Sequence, residues 1–312
     1  MHAAAFSPRG GGVAPKTTRL RGRSIIEYVL IAAIIGLVVV FAGPPVSGAI
    51  RNQFSQVINT VDSGTSGDSF MSAEEKAHRE AMKTVAAKEA KDWTLSEQKA
   101  AADDIAKNGT SSPVYAKAKA AMDAGTEWSL KLTNGLSVTY RIIGINHDEL
   151  ADGSGKAGLT FEETNALDHQ KMNPTKTNAG GWEKSELRGR LNSGGLWSLL
   201  PAELQSKVKS VKKMTDNKGG GTAGTPSVTT DKVFLLSASE VYGDLDSDGT
   251  QYEYYKSKGV TTSNYSGASG YNHWTRSVCP TNSTDFSWVS SYGRWSVEPA
   301  SAGEYIFLAF CF

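Results

Sequence analysis

Asp244-Leu-Asp246-Ser-Asp248-Gly249 sets three carboxylates at alternate positions ahead of a glycine. Hard cations such as Ca2+ need clustered oxygens, and a glycine there permits the sharp turn of a calcium loop. Tyr255 stands where such a loop carries its bidentate glutamate, and Glu253 is out of register. That departure favours a solvated acidic turn over a calcium site. His147-Asp148 is suited to acid–base work or to a metal. With no nucleophile or second ligand cluster beside it, the pair reads as a structural hydrogen-bonding unit, and His169 and His273 stand alone. Cys279 and Cys311 are the two cysteines, too few for a cysteine-rich metal scaffold. Export to an oxidising surface would permit a disulfide between them; the alternative is that Cys311 is a buried free thiol. No catalytic set can be assembled from these groups, so the chain is not expected to be an enzyme.

Contact chemistry is better represented. From 260 to 298, Tyr265, Tyr271, Trp274, Trp288, Tyr292 and Trp295 are interleaved with Ser, Asn and Gly. Recognition surfaces favour this mixture, because rigid amphipathic rings give area at low entropy cost while small polar residues adapt. The six rings are expected to contact a glycan or protein ligand, with the reservation that Trp274, Trp288 and Trp295 are also what the core of a strand-poor domain would use.

One charge sits where charge is costly. Glu27 is the only charged side chain between Arg23 and Arg51, within an apolar run long enough to cross a bilayer. Gly22, Arg23, Glu27 and Tyr28, followed by that run, resemble the amino terminus of type IVb prepilins, especially the Flp pilins of tight-adherence (Tad) systems. The resemblance implies cleavage by a prepilin peptidase between Gly22 and Arg23. It also makes Glu27, next to Tyr28, the assembly glutamate that pairs with a neighbour's new amino terminus. The implied partners are that peptidase, other pilin subunits, and the membrane before assembly.

Several elements must carry these groups. Residues 1–22 read as a leader and 23–61 as a long apolar pilin-type helix. Residues 62–126 read as a linker and helical spacer, with starts at Ser72/Glu75, Thr94/Glu97 and Ser112-Pro113 and stops at Gly109 and Gly125. From Trp128 the apolar period becomes two, and Asn134-Gly135 between alternating runs is a strong hairpin signal. Further helices are expected near 185–191 and 196–208, a buried strand at 232–237, a flexible glycine-rich excursion at 218–225, and a closing apolar strand at 305–312.

Tyr140-Arg-Ile-Ile-Gly-Ile-Asn-His-Asp148, Gly181-Trp-Glu-Lys-Ser-Glu-Leu-Arg188 with Leu191-Asn192, and Asp231-Lys-Val-Phe-Leu-Leu-Ser237 with Glu240 recur in one order with three later segments. Those are Gln251-Tyr-Glu-Tyr-Tyr255, Trp274-Thr-Arg-Ser277 and Ala309-Phe-Cys-Phe312. Together they make 127–312 similar to DUF6273, a domain of bacterial, mostly Gram-positive, surface proteins. Phe307-Leu308 replaces the arginine-proline pair that family often has. The late Trp-Thr-Arg-Ser pattern also resembles C-type-lectin-like folds.

The expected fold class is thus α+β: a long amino-terminal apolar helix, a helical spacer, then a mixed α+β domain of C-type-lectin-like character. Lys and Arg total 33 against 32 Asp and Glu, which argues against a nucleic-acid partner. The expected role is a minor or tip subunit of a Tad-type pilus that displays an adhesin-like domain, first in the bacterial membrane and then on the cell surface. The alternative is a secretion pseudopilin with a purely structural second half.

Overall fold

Alanine-rich helices open the described part of the chain: α1 (Ala73–Ala87), α2 (Leu95–Asn108) and α3 (Tyr115–Ala124). The coordinates are a computed structural model, which describes residues 72–245, 248–266 and 268–312. Thr94 and Glu97 form a reciprocal capping box at the start of α2, and Gly125 ends α3 in the left-handed region at φ 66°.

These helices correct the expected fold class. They are not a spacer: Ala101, Ala102, Ile105, Val114 and Ala118 are fully buried in the same core as the strands. Small side chains let helix and sheet approach closely. A Cβ on Gly158 would lie 1.8 Å from the Ala102 carbonyl oxygen. Hydrogen bonds lock the layer down, from the Trp128 indole to Ala90 O (3.1 Å) and from the Tyr140 hydroxyl to Gln98 Oε1 (3.1 Å). The long apolar helix expected at 23–61 lies outside the described residues. Among the described residues, no helix is long and apolar enough to cross a membrane.

The helices cover a five-stranded sheet built from β1 (Glu127–Lys131), β2 (Ser137–Ile145), β3 (Leu159–Glu163), β7 (Val233–Phe234) and β12 (Ala309–Cys311). Its order is β1-β2-β3-β12-β7, so the strand latest in sequence lies inside, pairing Phe310 with Phe161 and Ala309 with Phe234. Asn134-Gly135 turns β1 back onto β2, with Leu130 opposite Val138. Trp128, Tyr140, Phe161, Phe310 and Phe312 make a contiguous aromatic core at centroid separations of 5.2–6.1 Å.

A second sheet runs β10 (Trp295–Pro299), β9 (Asp285–Val289), β8 (His273–Val278), β11 (Glu304–Tyr305), β4 (His169–Gln170). Between the sheets in sequence lie α4 (Gly181–Lys184), α5 (Glu186–Asn192), α6 (Ala202–Gln205), the hairpin β5 (Val211–Thr215)–β6 (Ser227–Asp231), α7 (Ala238–Tyr242) and α8 (Glu253–Ser257). Three local expectations change. The helix at 196–208 shrinks to a 3-10 turn and α6, because Pro201 stands between them. Of the strand at 232–237 only Val233–Phe234 pairs, since Ser237 is spent capping α7 in a box with Glu240. The loop at 218–225 is pinned: Asn178 Oδ1 accepts from Gly220 N and Asp216 Oδ2 from Gly224 N, each at 2.7 Å.

Candidate functional site

Charge in the interior is concentrated at one place. An antiparallel bridge between Leu150 and Val211 lays β5 along the segment that follows β2. With period two along β5, Val211, Lys213 and Thr215 then face inward. Lys213 Nζ lies 2.6 Å from Asp148 Oδ1, 2.7 Å from Glu240 Oε1 and 2.9 Å from the Tyr252 hydroxyl. Tyr252 donates to Asp148 Oδ1 (3.0 Å) and Oδ2 (2.9 Å), and Thr160 donates to Oδ2 at 2.6 Å. Glu240 in turn takes a two-pronged contact from Arg276 of β8, at 2.5 and 2.8 Å. Asp148, Lys213, Glu240, Tyr252 and Arg276 are each at most 4 % exposed.

Burial alone would raise both carboxyls. Lys213 outweighs it at Asp148 and holds that group well below the usual carboxylate range, while Arg276 and Lys213 lower the carboxyl of Glu240. His147 stacks on Tyr252 at 4.1 Å and meets Glu253 through Nδ1 at 3.1 Å. His147 and Asp148 thus both sit in hydrogen-bonded contacts, His147 with Glu253 and Asp148 with Lys213, Tyr252 and Thr160. Sequence reading passed over Lys213, and it placed Glu240, Tyr252 and Arg276 in the family segments without giving them a role in a site. The available signal was a lysine on the inward phase of an alternating strand, together with the Ser237/Glu240 capping spacing.

The surface is of a different kind. Tyr292 is 78 % exposed, Trp295 and Tyr271 are exposed, and Tyr265 and Trp288 are partly buried. Trp274 is 1 % exposed and its indole donates to Gln170 O at 2.8 Å, so it is core and not a contact residue. Arg294 lies over the Tyr265 ring at 5.5 Å. Tyr271 meets Tyr305 edge-on at 5.2 Å, and His169 meets Tyr305 at 3.8 Å. Beside His169 opens a cleft of about 560 Å³ with a leucine floor (Leu136, Leu167, Leu196, Leu199) and two charged side chains, Asp168 and Arg190. Sequence reading missed this cleft, because its walls come from the β1–β2 turn, the run before β4, and α5.

Asp244 and Asp248 of the acidic turn have different partners. Asp244 accepts from the Thr262 amide (3.1 Å) and hydroxyl (2.7 Å), whereas Asp248 is buried and accepts from Asp216 N at 2.8 Å. Asp246 lies outside the described residues, and among those described no group of three or more His, Cys, Asp or Glu could hold a metal ion. Cys279 and Cys311 are free and buried. Cys311 Sγ lies 3.4 Å from Thr160 Oγ1 in the first sheet, and Cys279 Sγ lies 3.5 Å from Thr281 Oγ1 at the end of β8. The disulfide is therefore not formed, each thiol being held by its own sheet. Gly22, Arg23, Glu27 and Tyr28 lie outside the described residues.

No curated protein and no solved structure matches the chain, so nothing supports the C-type-lectin-like part of the expected fold class, while the mixed helix-and-sheet character of the carboxy-terminal part stands. The family described as Domain of unknown function (DUF6273) matches residues 155–306, which span α4 to α8, all of the second sheet and strands β3 and β7 of the first, so the chain carries a DUF6273 domain there.

Proposed function

We propose that this chain is a surface-displayed binding protein, in which residues 73–312 hold a fixed frame and present aromatic rings to a glycan or protein ligand. The observation that carries the reading is the group of accessible rings on one sheet and its flanking loops: Tyr271, Tyr292 and Trp295. Exposed aromatic side chains interleaved with Ser, Asn and Gly bind with little loss of side-chain entropy. The spacing of Gly22, Glu27 and Tyr28 supports delivery by a prepilin-type leader, with prepilin peptidase and other pilin subunits as partners and a minor or tip position in a Tad-type pilus.

Two measurements test the proposal. Mass spectrometry of the native amino terminus should find a chain starting at Arg23; an intact leader would remove the pilin part. A glycan and cell-wall fragment array should give hits that weaken at least tenfold in the Tyr292→Ala/Trp295→Ala double variant. Hits that survive it unchanged would move the binding site away from this surface.

A further inference from the structure

Lys213, Asp148 and Glu240 have the composition and placement of a self-condensing set. An amine nucleophile, a carboxyl electrophile and a second carboxyl within reach of the same nitrogen are packed together without solvent. Nζ is 2.6 Å from one Asp148 oxygen and 2.7 Å from Glu240 Oε1. The Phe234 ring lies under Nζ at 4.3 Å and the Tyr252 ring at 5.2 Å. These are contacts to the carboxylate oxygens, and they hold the amine beside the Asp148 carboxyl inside one folded chain, which replaces an encounter between molecules with an intramolecular step. We infer that Lys213 and Asp148 form an intramolecular amide bond, made by the folded chain itself with Glu240 as the proton carrier.

The step balances without an oxidant or co-reactant. The ion pair is the resting form, with Asp148 ionised; in the small fraction that reacts, the Lys213 ammonium passes one proton along its hydrogen bond to Asp148, giving a neutral amine beside a neutral acid. Low polarity favours that neutral pair over the ionised one more than water does. The nitrogen lone pair then attacks Cγ of Asp148. Thr160 and Tyr252, which donate to the Asp148 oxygens, stabilise the oxyanion that develops there. The nitrogen, now carrying one proton too many, gives it to Glu240. Arg276 keeps Glu240 ionised and so ready to accept it. Glu240 returns that proton to the departing hydroxyl, and the C–O bond breaks. Ammonium plus carboxylate has become amide plus water, with net charge unchanged.

The energetics run the same way. A buried ion pair carries a large desolvation cost that its attraction only partly offsets. The product replaces it with a neutral amide, and Arg276 and Glu240 remain paired. The bond would tie the segment after β2 to β5, two places 65 residues apart in sequence.

Peptide mapping of the purified full-length chain under denaturing conditions tests the inference. The expected result is one branched species that joins the peptide containing Asp148 to the peptide containing Lys213, lighter than their sum by one water. Two separate unmodified peptides from a cooperatively folded sample would overturn it. So would a water loss that maps to a cyclised Asp152-Gly153 or Asp248-Gly249 with no joined peptides. Lys213→Arg should yield only separate peptides. Asp148→Asn should still join, with loss of ammonia in place of water. Glu240→Gln should accumulate the unjoined chain, and rapid joining in that variant would overturn the role given to Glu240. If these variants fail to fold, the wild-type map alone decides.

Discussion

Arg276 and Arg294 flank the same sheet and live under opposite rules. Arg276 is fully buried, and each of its nitrogens has a partner: Thr215, the carbonyls of Leu235, Met214 and Asp248, and both oxygens of Glu240. Arg294 is exposed and rests on one tyrosine, its Nε 3.3 Å from the Tyr265 hydroxyl. A buried charge is tolerated when its geometry is fully specified, whereas an exposed one keeps its freedom and contributes little to the fold. The interior of this protein is thus where charge is fixed, and the rim is where it stays available.

Breaking the interior member should have the largest effect. Arg276→Met takes the two-pronged contact away from the buried Glu240 and should cost about 3–5 kcal/mol in urea unfolding. Arg294→Ala should leave the unfolding midpoint in place. If the two variants unfolded alike, the contrast between interior and rim would not hold.

The aromatic residues give a second form of the same test. Trp274→Ala opens a hole in the core and should cost about 3–5 kcal/mol. Tyr292→Ala, on the surface, should change stability by no more than about 0.5 kcal/mol. Thermal and urea unfolding of both would show whether the two halves of the late aromatic segment separate as sharply as their burial does.

Glu163 sharpens the comparison by a smaller margin. Burial pushes its carboxyl up to about 8, against the lowering effect of the Leu308 amide 3.0 Å away. The folded state then holds a proton that the unfolded chain has released, so this group makes stability fall as pH rises from about 4.5 to about 8. Glu163→Gln removes that slope. Unfolding at about pH 5 and about pH 8 should find the variant gaining on wild type by roughly 1 kcal/mol or more at the higher pH. Parallel curves for the two proteins would show that Glu163 is charged in the fold.

What the sequence disclosed was mostly local. The Thr94/Glu97 box, the Gly125 stop and the Asn134-Gly135 hairpin each depend on a few adjacent residues whose backbone needs decide the outcome. The helix layer was located but misjudged in role, because alanine gives no sign of whether it faces water or a sheet. Long-range pairing was not readable: nothing in Ala309-Phe-Cys311 says that β3 and β7 will lie on either side of it. The charge cluster was hidden for the same reason, since Asp148, Lys213, Glu240 and Arg276 come from four separated segments. Of the six aromatic candidates, composition could not tell Trp274 from Trp295, because a tryptophan serves a core and a contact surface equally well.

The inside position of β12 also governs timing. A chain made from its amino terminus presents β1, β2 and β3 early, but β7 pairs within the sheet only with β12. Until Cys311 has left the ribosome, β3 shows an open edge and Phe161 lacks its stacked neighbour Phe310. Closure of the first sheet therefore waits on residues 309–311, whatever is already folded before them.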